Sequence, residues 1–441
     1  IATVLLGMGH RVTGSDAADS PALQRLAGLG ATVVAGHDPA LVSEAEVVVR
    51  STAVPDDDPE VEAARAAGHR VWRRADVLAA ICRLRRTIAV SGTHGKTTTS
   101  AMLAVTLDGL GWQPSFIIGG DIAGIGPGAR WDPAGEWFVV EADESDGTFV
   151  ELGAEVAVVT SVEPDHLEFY GGFEPLVAAF ERFVAEPAGP VVLCADDPGA
   201  AALAAGRSGP VWTYGLAEGA RLRVTDPELV RFGARFRVGP GPDGREAPVS
   251  LAVPGLHNVR NAAGVIATAT ALGAPWPDVL RCVGRFQGVG RRFEWRGEAA
   301  GVAFVDGYDH LPTEVAAAVA TARSGGWGRV VVVFQPHRYS RTEALWPDFA
   351  TAFDGADLLV LTGIYPAGEA PRPGVTGRLV YDAVRAARPG LDVRYAEDLT
   401  AAAVTVADAL RPGDLCLTLG AGDITGLATV LQDRLGGSDP R

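Results

Sequence analysis

Lysine is nearly missing from this chain: of 38 Lys plus Arg residues only Lys96 is a lysine, and the only asparagines are Asn258 and Asn261. Arginine replaces lysine well on a solvated surface but poorly where a compact point charge is needed. A coding bias against both residue types would mark these three positions as places where a substitute fails. Cysteine is scarce as well. Cys82, Cys194, Cys282 and Cys416 are scattered, which gives neither a metal-ligand spacing nor a disulfide framework and predicts buried thiols. Positive charge is in deficit, with 38 basic residues against 54 acidic ones and a net charge of −16. That balance argues against a general surface for nucleic acid or anionic membrane, so a phosphate site has to be local. No apolar run approaches the ~18 residues of a membrane span, and no charged-then-apolar leader opens the chain. The cytoplasm is the default compartment. Residue 1 is Ile rather than Met, which suggests a fragment or a processed start.

What is present describes a globular protein. The chain has 441 residues, 47% hydrophobic and 21% charged, with 55 Gly and 29 Pro spread along it. This excludes a disordered or collagen-like chain, and the length predicts about three domains. Apolar strands alternate with helical stretches throughout, the pattern of an α/β protein. Residues 1–85 read as one small domain, with an apolar opening segment, strands at 11–16, 31–34, 46–51 and near Val71, and a helix at 59–67. This is the tail of a βαβ unit. In such a unit the acidic strand end, here Asp16, follows a glycine-rich loop by roughly 20 residues, which places that loop upstream of Ile1. Residues 86–290 predict a strand at 87–91, a glycine turn, a helix at 97–110, strands at 137–140 and 156–160, irregular antiparallel strands over 206–250 and a helix at 259–272. Residues 291–441 predict strands at 302–305, 329–334, 358–362 and 414–419 separated by helices.

The string Gly92-Thr93-His94-Gly95-Lys96-Thr97-Thr98 falls between a predicted strand and a predicted helix. Backbone N–H groups and the helix dipole favour phosphate there, with Lys96 reaching the outer phosphates and Thr97 holding Mg²⁺. The general phosphate loop has four residues between its glycines and this one has two, so it is a shortened variant or a plain glycine turn. Glu141-Ala-Asp-Glu-Ser-Asp146 follows the next strand and supplies carboxylates where a nucleotide-bound Mg²⁺ needs one or two; otherwise it is a solvated acidic loop. His166 ends the following strand as a metal ligand or as a structural histidine, since nitrogen is an unusual partner for a hard cation. Asn258 and Asn261, at i and i+3 of a helix start, share a face suited to an adenine edge; the alternative is a helix cap plus a surface residue. Arg291-Arg292 either clamps a phosphate or is surface charge at a domain boundary. The 335–341 segment crowds His337, Arg338 and Arg341 at a strand's carboxyl edge, which suits an anionic ligand.

These strings together resemble the Mur ligase family. The resemblance covers nearly the whole chain and rests on 14–16, 51–55 with 59–60, 92–99, 141–146, 163–166, 257–261, 288–293, 334–339 and 365–369. Gly-Thr-His-Gly-Lys, Phe-Gln-Pro-His-Arg-Tyr and Tyr-Pro-Ala-Gly-Glu point to the branch that adds L-alanine to UDP-N-acetylmuramic acid in peptidoglycan synthesis. It implies three domains: a Rossmann-like one for the UDP-sugar, a central P-loop ATPase-type one and a Rossmann-like one for the amino acid. ATP as co-substrate and Mg²⁺ follow. So does a lactyl carboxylate that attacks the γ-phosphate, an acyl phosphate that L-alanine then displaces, and domains that close together around the reaction. The resemblance assigns Lys96 to the ATP phosphates, Thr97 and Glu141 to one Mg²⁺, His166 to a second metal and Asn258 and Asn261 to the nucleotide. Arg292, Asp306, His310, His337, Arg338 and Arg341 are placed around the reacting phosphate and L-alanine, and Ser15, Asp16, Ser51, Tyr308 and Arg341 on the substrates. The implied partners are these small molecules, with no nucleic acid and no membrane insertion, for a monomer or homodimer.

The chain departs from the family where Asp-Asp-Tyr-Gly-His-His-Pro-Thr-Glu appears as Asp306-Gly-Tyr-Asp-His-Leu-Pro-Thr-Glu314, and where Gly363 replaces an Asp. Gly307 thus stands for an acidic residue, Asp309 for a glycine and Leu311 for a histidine. Residues i and i+2 of a strand point alike, so Asp309 can stand in for the missing carboxylate. The competing expectations are an impaired homologue that binds nucleotide without ligation, a ligase for another amino acid or a recycled peptide, and a simple P-loop ATPase.

Overall fold

Parallel strands buried on both faces need continuous apolar runs, and helices between them need caps. The computed structural model, which describes residues 1–51 and 54–436, shows such apolar runs throughout and side-chain caps on some of its helices. Thr52 and Ala53 of the 51–55 string lie outside the described residues. The chain divides into two units, one of residues 1–224, 238–247 and 260–285, the other of 225–237, 248–259 and 286–441.

The first unit opens with the helix Ala2–Gly7. Strand Thr13–Asp16 pairs in parallel with Thr32–Ala35, and Val47–Arg50 with Arg70–Arg73. The intervening helices start at side-chain caps: Ser20 accepts from the Leu23 N–H, and Asp58 from those of Glu60 and Val61, each followed by proline in the first helical turn. The helix expected at 59–67 runs Pro59–Ala66.

The larger sheet of this unit runs, in spatial order, Val211–Gly215, Val191–Cys194, Val156–Val159, Arg86–Ser91, Trp137–Glu141, Ser115–Ile117 and Ala129–Arg130. Every pairing is parallel except the last. Val211–Gly215 belongs to the stretch expected to be antiparallel, yet it joins the sheet parallel to Val191–Cys194. Its apolar run is short, so sequence periodicity carried no direction. Strands Leu222–Val230, Gly233–Gly239 and Ala247–Leu251 follow as the chain passes between units. Strand Arg86–Ser91 lies centrally with Ile88, Ala89 and Val90 wholly buried. The helix Lys96–Gly109 leaves its carboxyl end through the glycine turn.

The second unit holds a six-stranded sheet in the order Glu294–Ala299, Val302–Gly307, Asp414–Leu419, Arg329–Phe334, Leu358–Leu361, Asp392–Tyr395. The first strand is antiparallel and the rest are parallel. Alternate residues enter two core layers, Ala303 and Val305 in one, Val302 and Phe304 in the other. Strand Asp414–Leu419 sits between Val302–Gly307 and Arg329–Phe334, although the latter two are consecutive among the parallel strands. In such sheets ligands bind beyond the strands' carboxyl ends. Three chain segments converge there: 308–311, 335–341 and 420–423. Among the described residues, no helix is long and apolar enough to cross a membrane.

Candidate functional site

The turn between Ser91 and Lys96 exists because its glycines cannot be replaced. A Cβ on Gly92 (φ +130°) would collide with Thr160 Oγ1 and lie 2.8 Å from the Ser161 nitrogen; one on Gly95 (φ +80°) would lie 2.7 Å from Asn261 Oδ1. Hydrogen bonds hold the turn from the neighbouring strand end: Thr93 N–H donates to Ser161 O (3.0 Å) and His94 N–H to Ser161 Oγ (2.9 Å). Glu163 N–H donates to Thr93 Oγ1 (2.8 Å), and a His94 ring nitrogen lies 3.2 Å from a Glu163 carboxylate oxygen. The 14-residue helix beyond has no side-chain cap. Its first amides are therefore available to an anion, reinforced by the dipole.

Lys96 Nζ donates to Gly92 O (2.8 Å), Thr93 O (3.3 Å) and Glu144 Oε1 (2.8 Å). The Lys96 and Glu144 side chains are 15% and 1% exposed. Burial lifts the Glu144 carboxyl above the usual range despite the ammonium, while the carboxylates of Glu144 and Asp143 outweigh burial and raise Lys96. Thr97 Oγ1 donates to Glu141 Oε1 (2.8 Å), and Glu141 Oε2 accepts from Gly119 N–H (2.7 Å). His166, Asp143 and Glu144 form a second group whose ligand atoms all lie within 4.8 Å of one another. Glu144 Oε2 is buried without a hydrogen-bond partner among the described residues. His166 is held at φ 53°, a conformation costly for a residue with a side chain. A hydroxyl with a carboxylate, and a carboxylate-rich group with an unsatisfied buried oxygen, fit hard divalent cations.

Asn258 and Asn261 are both buried, at 5% and 6% exposure, so neither is a surface residue. Asn258 is inside the helix Leu256–Ala271 rather than its cap, and its Nδ2 donates to Pro254 O (2.7 Å). Asn261 touches the phosphate turn at Gly95. At the amino end of the chain Ser15 Oγ donates to Glu60 Oε2 (2.7 Å), Asp16 accepts from Ala18 N–H (3.2 Å) and Ser51 is exposed.

In the second unit Asp306, expected to be catalytic, is 0% exposed, and its two carboxylate oxygens accept from Thr418 Oγ1 (2.7 Å) and Thr425 Oγ1 (2.8 Å). Arg291 Nε lies 3.4 Å from it, and Arg291 Nη2 donates to Gly420 O (2.7 Å). Asp306 thus ties the strand ends together. Arg291 is the pinned member of its pair, while both Arg291 and Arg292 lie over the Tyr308 ring, at 4.9 and 5.2 Å. The rings of His310 and His337 are 5.6 Å apart, and His337 stacks on Tyr365. Arg341 Nη1 lies 2.9 Å from His337 Nδ1. Burial and the surrounding cations lower His337 to about 4, so it is neutral and accepts that hydrogen bond. Burial lowers His310 as well. Arg338, at φ 67°, bonds through its N–H to Tyr365 O (2.8 Å).

Sequence reasoning assigned no role to Glu144, Glu163 or Tyr365. Glu144 was inside a recognised acidic string, but only the turn of the chain after Glu141 separates the carboxylate that meets Lys96 from its neighbours. Asp309 was expected to share a strand with Gly307. The strand ends at Gly307, and Asp309 reaches the same space by folding back from the loop.

Three family models match: "Mur ligase family, catalytic domain" over residues 1–86, "Mur ligase middle domain" over 90–269 and "Mur ligase, glutamate ligase domain" over 291–422. A UDP-N-acetylmuramate–L-alanine ligase of Kineococcus radiotolerans is 49% identical over 434 residues, covering 96% of this chain and 91% of the relative. A ligase of the same name from Rubrobacter xylanophilus is 44% identical, covering 99% and 97%. The crystal structure of a UDP-N-acetylmuramate–alanine ligase from Thermotoga maritima matches with a TM-score of 0.82 at 27% identity, covering 98% of this chain and 95% of that one. The phosphate turn, the paired carboxylates and these matches along the length of the sequence lead to one conclusion: the chain belongs to the Mur ligase family and has its three-domain fold.

Proposed function

We propose that this chain joins L-alanine to the lactyl carboxylate of UDP-N-acetylmuramate at the expense of ATP, a step of peptidoglycan synthesis in the cytoplasm. The observation that carries the reading is the Lys96, Thr97 and Glu141 constellation at an uncapped helix start, in a chain whose full-length relatives bear that ligase name. Residues 1–85 would take the UDP-sugar, 86–290 ATP and 291–441 the amino acid.

The chemistry brings anions together, so positioning and neutralisation are the protein's main tasks. Lys96 and the helix amides bind the transferred phosphoryl group. Thr97 and Glu141 would hold one Mg²⁺, and His166 with Asp143 and Glu144 a second divalent ion. Bound there, the ions neutralise phosphate charge. Asn261, packed against the phosphate turn, is placed for the nucleotide. Arg292, Arg338 and Arg341 supply cations for the amino acid's carboxylate, with His337 orienting Arg341.

A nucleotide-binding homologue without ligation is not favoured, because relatives matched along nearly the whole chain bear the ligase name. Phosphate release measured with ATP and Mg²⁺ should require both UDP-N-acetylmuramate and L-alanine. Release independent of L-alanine would overturn the reading.

A further inference from the structure

Gly307 is the last residue of its strand and is buried. A Cβ built there would collide with Asp309 Oδ2 and lie 2.8 Å from Leu419 Cδ2. The absence of a side chain at 307 is therefore what gives the Asp309 carboxylate its place. Two residues act as one unit: glycine vacates a volume at the strand end, and the aspartate two positions on fills it with an anion.

The groups around that anion differ in what they have left to offer. Asp306, at the position preceding Gly307 on the strand, is wholly buried, accepts from two threonine hydroxyls and lies 3.4 Å from Arg291 Nε. Glu314, on the helix Pro312–Ser324, is engaged by the N–H groups of His310 (3.0 Å) and Leu311 (3.2 Å). The Arg292 guanidinium also acts on Asp309, and His310 follows it in the chain. Asp309 itself is only partly buried. Glu314 is partly buried too, and the ring of His310, which follows Asp309 in the chain, lies 5.6 Å from that of His337, which Arg341 contacts. An amino-acid zwitterion needs guanidinium groups for its carboxylate and an anion for its ammonium, and this strand end offers both.

We propose that Asp309, seated in the space vacated by Gly307, is the catalytic carboxylate that receives the ammonium of the incoming amino acid and takes its proton. The inference rests on the ligase reading above. The ammonium gives one proton to the Asp309 carboxylate and keeps the electron pair. That pair forms the C–N bond at the acyl phosphate carbonyl. As the tetrahedral intermediate collapses, the C–O bond to phosphate breaks, phosphate leaves with that electron pair and accepts the second surplus proton from nitrogen, and Asp309 returns its proton to water. The environment suits this exchange: burial, with Glu314 and Asp306 nearby and with Arg292 and a backbone hydrogen bond opposing, raises the Asp309 carboxyl to about 7. General-base groups work best near the operating pH.

The test compares wild type, Asp309→Asn, and the exchange variant Gly307→Asp with Asp309→Gly, which restores one carboxylate from the other backbone position. Two assays run in parallel: L-alanine-dependent phosphate release against pH, and trapping of the acyl phosphate by hydroxylamine. Asp309→Asn should lower kcat/KM for L-alanine about 100-fold or more, lose the fall in activity below pH ~7, and leave acyl hydroxamate formation at the wild-type rate. The exchange variant should recover most of the lost activity. Unchanged kcat/KM and pH profile in Asp309→Asn, equal loss of hydroxamate and ligation, or an exchange variant no better than Asp309→Asn would each overturn the inference while leaving the ligase reading intact. A wild-type enzyme that forms neither hydroxamate nor product overturns both.

Discussion

Replacing Lys96 by methionine tests the phosphate turn at its centre. The ammonium is the charged partner of Glu144, whose side chain is 1% exposed, and it also bridges Gly92 O and Thr93 O. Removing one partner of a buried ion pair strands the other charge at a cost of about 3–5 kcal/mol. For a folding unit of this size each kcal/mol moves the melting temperature by about 2–4 °C, so Lys96→Met should melt roughly 6–20 °C below wild type. The loss is a matter of stranded charge rather than lost packing, because methionine fills much of the same volume. Adding Glu144→Gln should therefore restore most of the melting temperature, though not the activity. Thermal unfolding followed by circular dichroism at neutral pH reads both outcomes. A Lys96→Met protein that melts within about 2 °C of wild type, or a double variant that melts below the single one, would refute the electrostatic account. Lys96→Arg separates charge from shape: the planar guanidinium cannot reproduce three contacts inside the turn, and phosphate release should fall about 100-fold or more.

Gly95→Ala should weaken binding of a non-hydrolysable ATP analogue in calorimetry, because the new Cβ meets Asn261 Oδ1 at 2.7 Å and the left-handed backbone at φ +80° adds about 1–2 kcal/mol. Glu141→Gln should raise the Mg²⁺ concentration for half-maximal activity about tenfold or more, the equivalent of ~1.4 kcal/mol; an unchanged Mg²⁺ titration would remove Glu141 from the cation site. The His337 pKa is lowered from 6.5 to about 4 in the folded chain, so the stability it contributes is complete above pH 6.5 and is lost as pH falls toward 4. His337→Asn should flatten the fall in melting temperature across that window, and an unaltered slope would show that His337 is not the group responsible.

The sequence by itself determined the order of the elements and most of the chemistry-bearing strings. Strands at 329–334 and 414–419 were legible to the residue, because runs of valine and leucine buried on both faces have no other reading between turns. The lone lysine and the glycines flanking it marked the phosphate turn, since local backbone demands and local charge are written in adjacent residues. Strand direction at Val211–Gly215 was not legible, because pairing is settled by a partner elsewhere in the chain. Nor was the division of labour among neighbouring residues of like chemistry. Glu144 rather than another acid of its string meets Lys96, 48 residues away; Arg291 rather than Arg292 is pinned, 129 residues away, at Gly420. Asp306 offered a carboxylate in sequence, and only the structure shows it buried and bonded to Thr418 and Thr425. The Gly307 and Asp309 pair shows the same limit. Sequence recorded that a carboxylate had moved by two positions, and only tertiary packing, through the space beside Leu419 that a missing side chain leaves open, decided where that carboxylate would sit.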